Sequence, residues 1–187
     1  MGTKEMLNEA RSLLIHGERE RSIDLFTKAI ESGEKTSLSY LGRGVAHLQL
    51  GNLQSAVDDF TRAIELNPSN PRAHYYRGMA YMVAKKFWLA VYDLGRTIEL
   101  EPRHGLALAA RGSCYLEMGL HDEAAIDLKA ALIEAQVSGQ RFVDSMGLVR
   151  TQLDRAFHLW IGDAREPRLT PQEYEQLRNL IEVDWTN

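Results

Sequence analysis

Three arginines and three aspartates stand out by type and spacing. Arg43, Arg77 and Arg111 recur every 34 residues, and Asp59, Asp93 and Asp127 each follow one of them by sixteen. Guanidinium and carboxylate groups at a constant interval have two uses. They form a ladder that grips an anionic ligand, or they pair with each other between packed helices. The second reading is favoured, because a semi-buried guanidinium needs a carboxylate to offset its desolvation. Residues 9 and 25, which hold the same two columns one period earlier, are Glu9 and Leu25, so both partners are missing together there.

Other chemistry is thinly represented. No phosphate-binding glycine loop, paired-cysteine metal motif or His-Glu-x-x-His stretch occurs. The six histidines are scattered at 16, 47, 74, 104, 121 and 158. The run HDE at 121–123 suits a helix start, where acidic groups favour the macrodipole. Cys114 has no base placed beside it and reads as a small buried apolar residue. The expectation is therefore no catalytic residue, no metal and no cofactor.

The bulk numbers are those of an ordinary folded chain and argue against disorder. The 187 residues are 44% apolar and 26% charged, ordinary for a folded chain. The net charge of −4 is evenly spread, with no basic stripe to follow a phosphate backbone, so nucleic acid is not expected as a partner. A single cysteine implies no oxidising compartment. The N-terminal MGTKEMLNEARSLL lacks the apolar stretch of a signal peptide, and Met6 gives myristoylation weak support. No run long enough for a membrane span occurs. A cytoplasmic location is the expectation.

Self-similarity organises the chain. Residues 71–104 repeat residues 37–70 at an offset of 34: Arg43-Gly44 returns as Arg77-Gly78, Ala46 as Ala80, Ala56 as Ala90, and Ile64-Glu65-Leu66 as Ile98-Glu99-Leu100. Pro68 returns as Pro102. Residues 105–138 keep Arg111-Gly112, Tyr115, Gly119, Ala124 and Leu128, with Gln136 in place of the proline. Residues 3–36 are a weaker copy that keeps Gly17, Phe26 and Ala29 and puts Ala10 and Ser22 at small-residue columns. Each unit predicts two amphipathic helices joined near Gly51, Lys85-Lys86 or Gly119, with glycine and alanine allowing close approach and proline ending the second helix.

The period, the small-residue and aromatic columns and the closing proline resemble the tetratricopeptide repeat family over residues 3–138. That resemblance implies an all-α, right-handed helix-turn-helix solenoid of four units, 3–36, 37–70, 71–104 and 105–138. It also implies that the first helix of each unit lines a concave face. On that basis the partner-binding groove comprises Leu38, Leu41, Val45, Leu48, Arg72, Tyr75, Met79, Met82, Leu106, Ala109, Ser113 and Glu117. This apolar lining fits a peptide or helix from another protein. It is equally open to filling by the chain's own C-terminus or by inter-repeat packing. The carboxylate clamp of one subclass, built from Lys, Asn and Arg, is not assembled: Leu7, Arg11, Gly42, Arg72, Tyr76 and Ala110 hold the candidate columns.

The outward face of the third unit departs from the second. Gln54, Ser55, Asp58 and Arg62 are replaced by Trp88, Leu89, Tyr92 and Arg96. Trp and Tyr favour interfaces, so this patch is a partner contact, a homo-oligomer contact, or a surface under the C-terminal segment. Residues 139–187 carry two further helical patterns and are expected to cap the array. The leading expectation is a non-catalytic interaction module using the groove. The alternative is a self-associating scaffold using the groove or the Trp88–Tyr92 patch.

Overall fold

The computed structural model describes residues 2–138, and the proposed C-terminal capping helices at 139–187 lie outside them. Eight helices and no strand occur among the described residues. They are α1 (Thr3–Ile15), α2 (Arg19–Glu31), α3 (Ser37–Gln49), α4 (Leu53–Leu66), α5 (Pro71–Val83), α6 (Phe87–Leu100), α7 (Gly105–Glu117) and α8 (His121–Ser138). The chain forms two compact units, and the boundary at Lys86–Phe87 falls inside the third repeat.

In the first unit α1 packs on α2, α3 on α4, and each pair on the next helix in sequence; α1 also stands beside α3, and α3 beside α5. Phe26, Phe60, Ala29, Ala56 and Ala63 are fully buried. The close approach is sterically enforced. A Cβ on Gly44 would lie 2.6 Å from the Phe60 ring, and one on Gly42 would lie 2.4 Å from that of Phe26. Phe60 also stacks on Tyr76 at 5.8 Å. In the second unit α7 packs against both α6 and α8. There Gly112 meets Leu128, and Leu108, Ala109 and Ala131 form a buried cluster against Ile98.

Helix ends follow the period as well. Gly17, Gly51, Lys85 and Gly119 all take a left-handed backbone at the turn within each pair, Lys85 without the glycine that makes this conformation inexpensive. Where a proline follows, α4 and α6 stop at 14 residues; α8, with Gln136 in that column, runs to 18. The first helices of the later repeats are capped by one column: Thr36 accepts from the Ser39 N–H, Asn70 from Arg72, and His104 Nδ1 from Ala107.

The His104 cap works only when the ring is neutral, and burial lowers its pKa despite nearby Glu101. An unfolded histidine takes a proton near pH 6.5, whereas the folded one resists it to lower pH. The cap's contribution is thus complete above about pH 6.5 and is lost as pH falls through the folded pKa. Urea unfolding between pH 7.5 and 5.5 is expected to show this loss, and His104→Asn, an equally good and non-titrating cap, should flatten the profile. His47, whose pKa burial also lowers, sets the residual slope. An unchanged profile in His104→Asn would refute the assignment.

Candidate interaction surfaces

Arginine and aspartate of these columns meet inside the second and fourth repeats. Arg43 on α3 donates from Nε and Nη2 to the two Asp59 oxygens on α4 at 2.9 and 2.7 Å. Arg111 on α7 does the same to Asp127 on α8 at 2.6 and 2.8 Å. Both carboxylates are buried. Hydrogen bonding to them raises each guanidinium's pKa against the lowering effect of burial. Each guanidinium also lies over a ring of its own helix, Tyr40 or Tyr115.

Two threonines extend the column and were not foreseen. Arg43 Nη1 donates to Thr27 on α2, and Arg77 Nη1 to Thr61 on α4, each at 3.1 Å. Each bond joins an arginine to the second helix of the preceding repeat. The signal was present in the sequence, since Thr27 and Thr61 are one period apart. Asp93 is buried at the equivalent of Asp59 and Asp127.

Several groove candidates are less open than expected. Leu41, Leu48, Tyr75, Met79, Met82, Ala109 and Ser113 are buried; Val45 and Leu106 are half-buried; Leu38, Arg72 and Glu117 are exposed. The expectation of a broadly exposed apolar lining is corrected. In the first unit the first helices pack mainly against second helices, α3 against α2 and α4 and α5 against α4, and only approach one another. In the second, Ala109 belongs to the Leu108–Ala131 cluster, and Ser113 donates to the Ala109 carbonyl at 3.0 Å. Burial holds the Tyr75 hydroxyl's pKa above its ordinary value and pushes the Cys114 thiol up to about 12, so Cys114 is not a thiolate at neutral pH. His74, also buried, has Nε2 at 3.0 Å from the Pro68 carbonyl oxygen, which ties it to the inter-repeat loop.

The outward patch on α6 is the reverse case. Trp88, Leu89 and Tyr92 are 69%, 48% and 65% exposed. Ile126, one period after Tyr92, is exposed too. Among the described residues no cluster of metal-ligating side chains forms, and no helix is long and apolar enough to cross a membrane.

Paired helices in 34-residue steps, locked by glycine–aromatic contacts and Arg–Asp pairs, define an all-α helical-repeat solenoid, an architecture of protein-interaction modules. Residues 37–70 match the family model described as Tetratricopeptide repeat, and the helical-repeat fold is that of solved tetratricopeptide repeat proteins. No curated protein sequence matches it. Among solved structures it is similar to MamA at 25% identity, over 74% of this chain and 81% of that one, with a TM-score of 0.71. YrrB, described as a TPR protein with an unusual peptide-binding site, is 22% identical over 96% of this chain and 86% of its own, with a TM-score of 0.67. The Arabidopsis OM64 TPR domain is 23% identical over 60% of this chain and 93% of that one, with a TM-score of 0.59.

Proposed function

We propose that this chain is a non-catalytic protein-binding module whose partner contacts the outward face of α6. The observation that carries this reading is the exposure of Trp88, Leu89 and Tyr92 within two turns of one helix. Large aromatic side chains left in water are the usual anchors of interfaces. The buried groove residues have little area left to offer a ligand. A second reading keeps the first-helix face of the first unit, because Leu38 is 54% exposed and Arg72 is exposed with it. Peptide binding by YrrB, a fold neighbour, supports a peptide as the partner class in either case.

The test is affinity capture from native extract with three folded proteins: wild type, Trp88→Ser/Tyr92→Ser, and Leu38→Glu/Arg72→Glu. A partner retained by the third and lost by the second supports the α6 face. Loss only in the third moves the site to the first helices. Sedimentation over a concentration series decides the self-association alternative: a scaffold grows with concentration and an adaptor does not.

A further inference from the structure

The α6 face has a polar feature that its repeat equivalents lack. In the column of Thr27 and Thr61 the next residue is Gly95. Arg43 and Arg77 each spend Nη1 on the threonine hydroxyl. Arg111 meets no hydroxyl there. Its Nε and Nη2 hold Asp127, and Nη1 has no partner among the described residues. A Cβ built on Gly95 would lie 3.6 Å from that Nη1, so the missing side chain leaves a notch with a guanidinium N–H at its edge.

The notch adjoins the exposed aromatics. Gly95 follows Trp88 by seven residues and Tyr92 by three, spacings that place all three on one side of a helix. Glu99, a turn further on, is engaged by Arg96, and its charge also acts on Arg111, adding to the rise in that guanidinium's pKa that Asp127 causes. The face therefore presents two apolar rings and, beyond them, a donor on a permanently charged group. A carboxylate is the acceptor that such a donor binds most strongly, charge-assisted bonds being about twice as strong as neutral ones.

We propose that the Gly95 notch receives an Asp or Glu side chain of an extended partner peptide, whose apolar residue packs on Trp88 and Tyr92. The proposal rests on the α6 reading above and specifies its partner. Seven helical residues rise about 10 Å, and an extended peptide advances about 3.3 Å per residue. The acidic and apolar residues are therefore about three positions apart in the partner.

The probes are two hexapeptides, acetyl-Ala-Leu-Ala-Ala-Asp-Ala-amide and acetyl-Ala-Asp-Ala-Ala-Leu-Ala-amide, with their Asp→Asn counterparts, titrated into the full ¹⁵N-labelled chain. Expected is a joint shift of the Trp88 indole and Gly95 amide signals, with at least one Asp peptide binding roughly tenfold or more tightly than its Asn form. Gly95→Thr, which supplies the hydroxyl found at Thr27 and Thr61, should abolish that preference while the Trp88 response remains. Gly95→Ala, with no hydroxyl, should keep it. Equal binding of acid and amide at a responsive Trp88 overturns the carboxylate inference and leaves the α6 face standing. No Trp88 response to any peptide overturns both for peptide partners; concentration-dependent dimerisation in the same sample then assigns the face to a second copy.

Discussion

Asp59→Ala is expected to lower the unfolding free energy by about 3 kcal/mol, and Asp58→Ala, one residue away, by less than about 0.5 kcal/mol. The difference is environmental. Asp58 is exposed and only accepts from the Gln54 amide on its own helix. Asp59 is buried and receives two hydrogen bonds from Arg43, whose side chain is itself mostly covered. Removing the carboxylate strands a guanidinium that cannot lose its proton, between helices that exclude water. The pair as a whole is worth less than this loss, because forming it first required desolvating both groups. Urea denaturation of the two variants checks the prediction, and similar midpoints would show that Arg43 finds solvent instead.

Phe60→Ala is expected to cost about 3–5 kcal/mol, as deletion of a fully buried ring normally does. The ring touches Gly44 across the helix pair and stacks on Tyr76 of the next repeat, so both packing directions lose it. A companion change gives a sharper reading. Alanine at Gly44 should destabilise the wild type by about 1–3 kcal/mol through overpacking. In the Phe60→Ala background the ring is gone and Asp59 Cβ, 3.2 Å from the added Cβ, is the close neighbour that remains. The same Gly44→Ala change should then cost less than in the wild type by about 1 kcal/mol or more, the intrinsic advantage of alanine over glycine within a helix working against the Asp59 contact. A coupling of that size in this double-mutant cycle is expected; additive effects would show that Gly44 is required for some reason other than Phe60.

Local rules made much of the fold legible. Offsets of 34 located the helix pairs, the glycines at 44 and 112, and the turns at Gly51 and Gly119, because each is imposed by a clash or backbone angle that one residue type solves. The proline column matches helix length: α8 lacks the proline and continues past the point where α4 ends. The surface was harder to read. Met79, Met82 and Tyr75 look alike whether a first helix faces a groove or its neighbour, and periodicity records only the side of the helix they occupy. Burial depends on how each first helix packs against its neighbours in the array, which no single helix encodes. Thr27 and Thr61 went unread because their shared column, though visible, points to no partner until the arginine reaching each hydroxyl is in place. The meaning of Gly95 depends on those two threonines.

The same threonines bear on how the molecule comes apart. Arg43 joins three helices, holding α4 through Asp59 and α2 through Thr27, and Arg77 adds α5 to α4 through Thr61. Loss of any one of these helices removes a partner from a buried charge in the next, so α2 to α5 are coupled into one cooperative block. In the second unit the Arg111 hydrogen bonds among the described residues go to Asp127 on α8; Gly95 offers no hydroxyl from α6, whose Glu99 acts on Arg111 through its charge alone. The α6–α7 step lacks that hydrogen bond and rests on packing, with Ile98 against the Leu108–Ala131 cluster. The substitution that opens a notch for a ligand thus also removes one polar tie between α6 and α7, and a ligand bridging Trp88 and Arg111 would restore it.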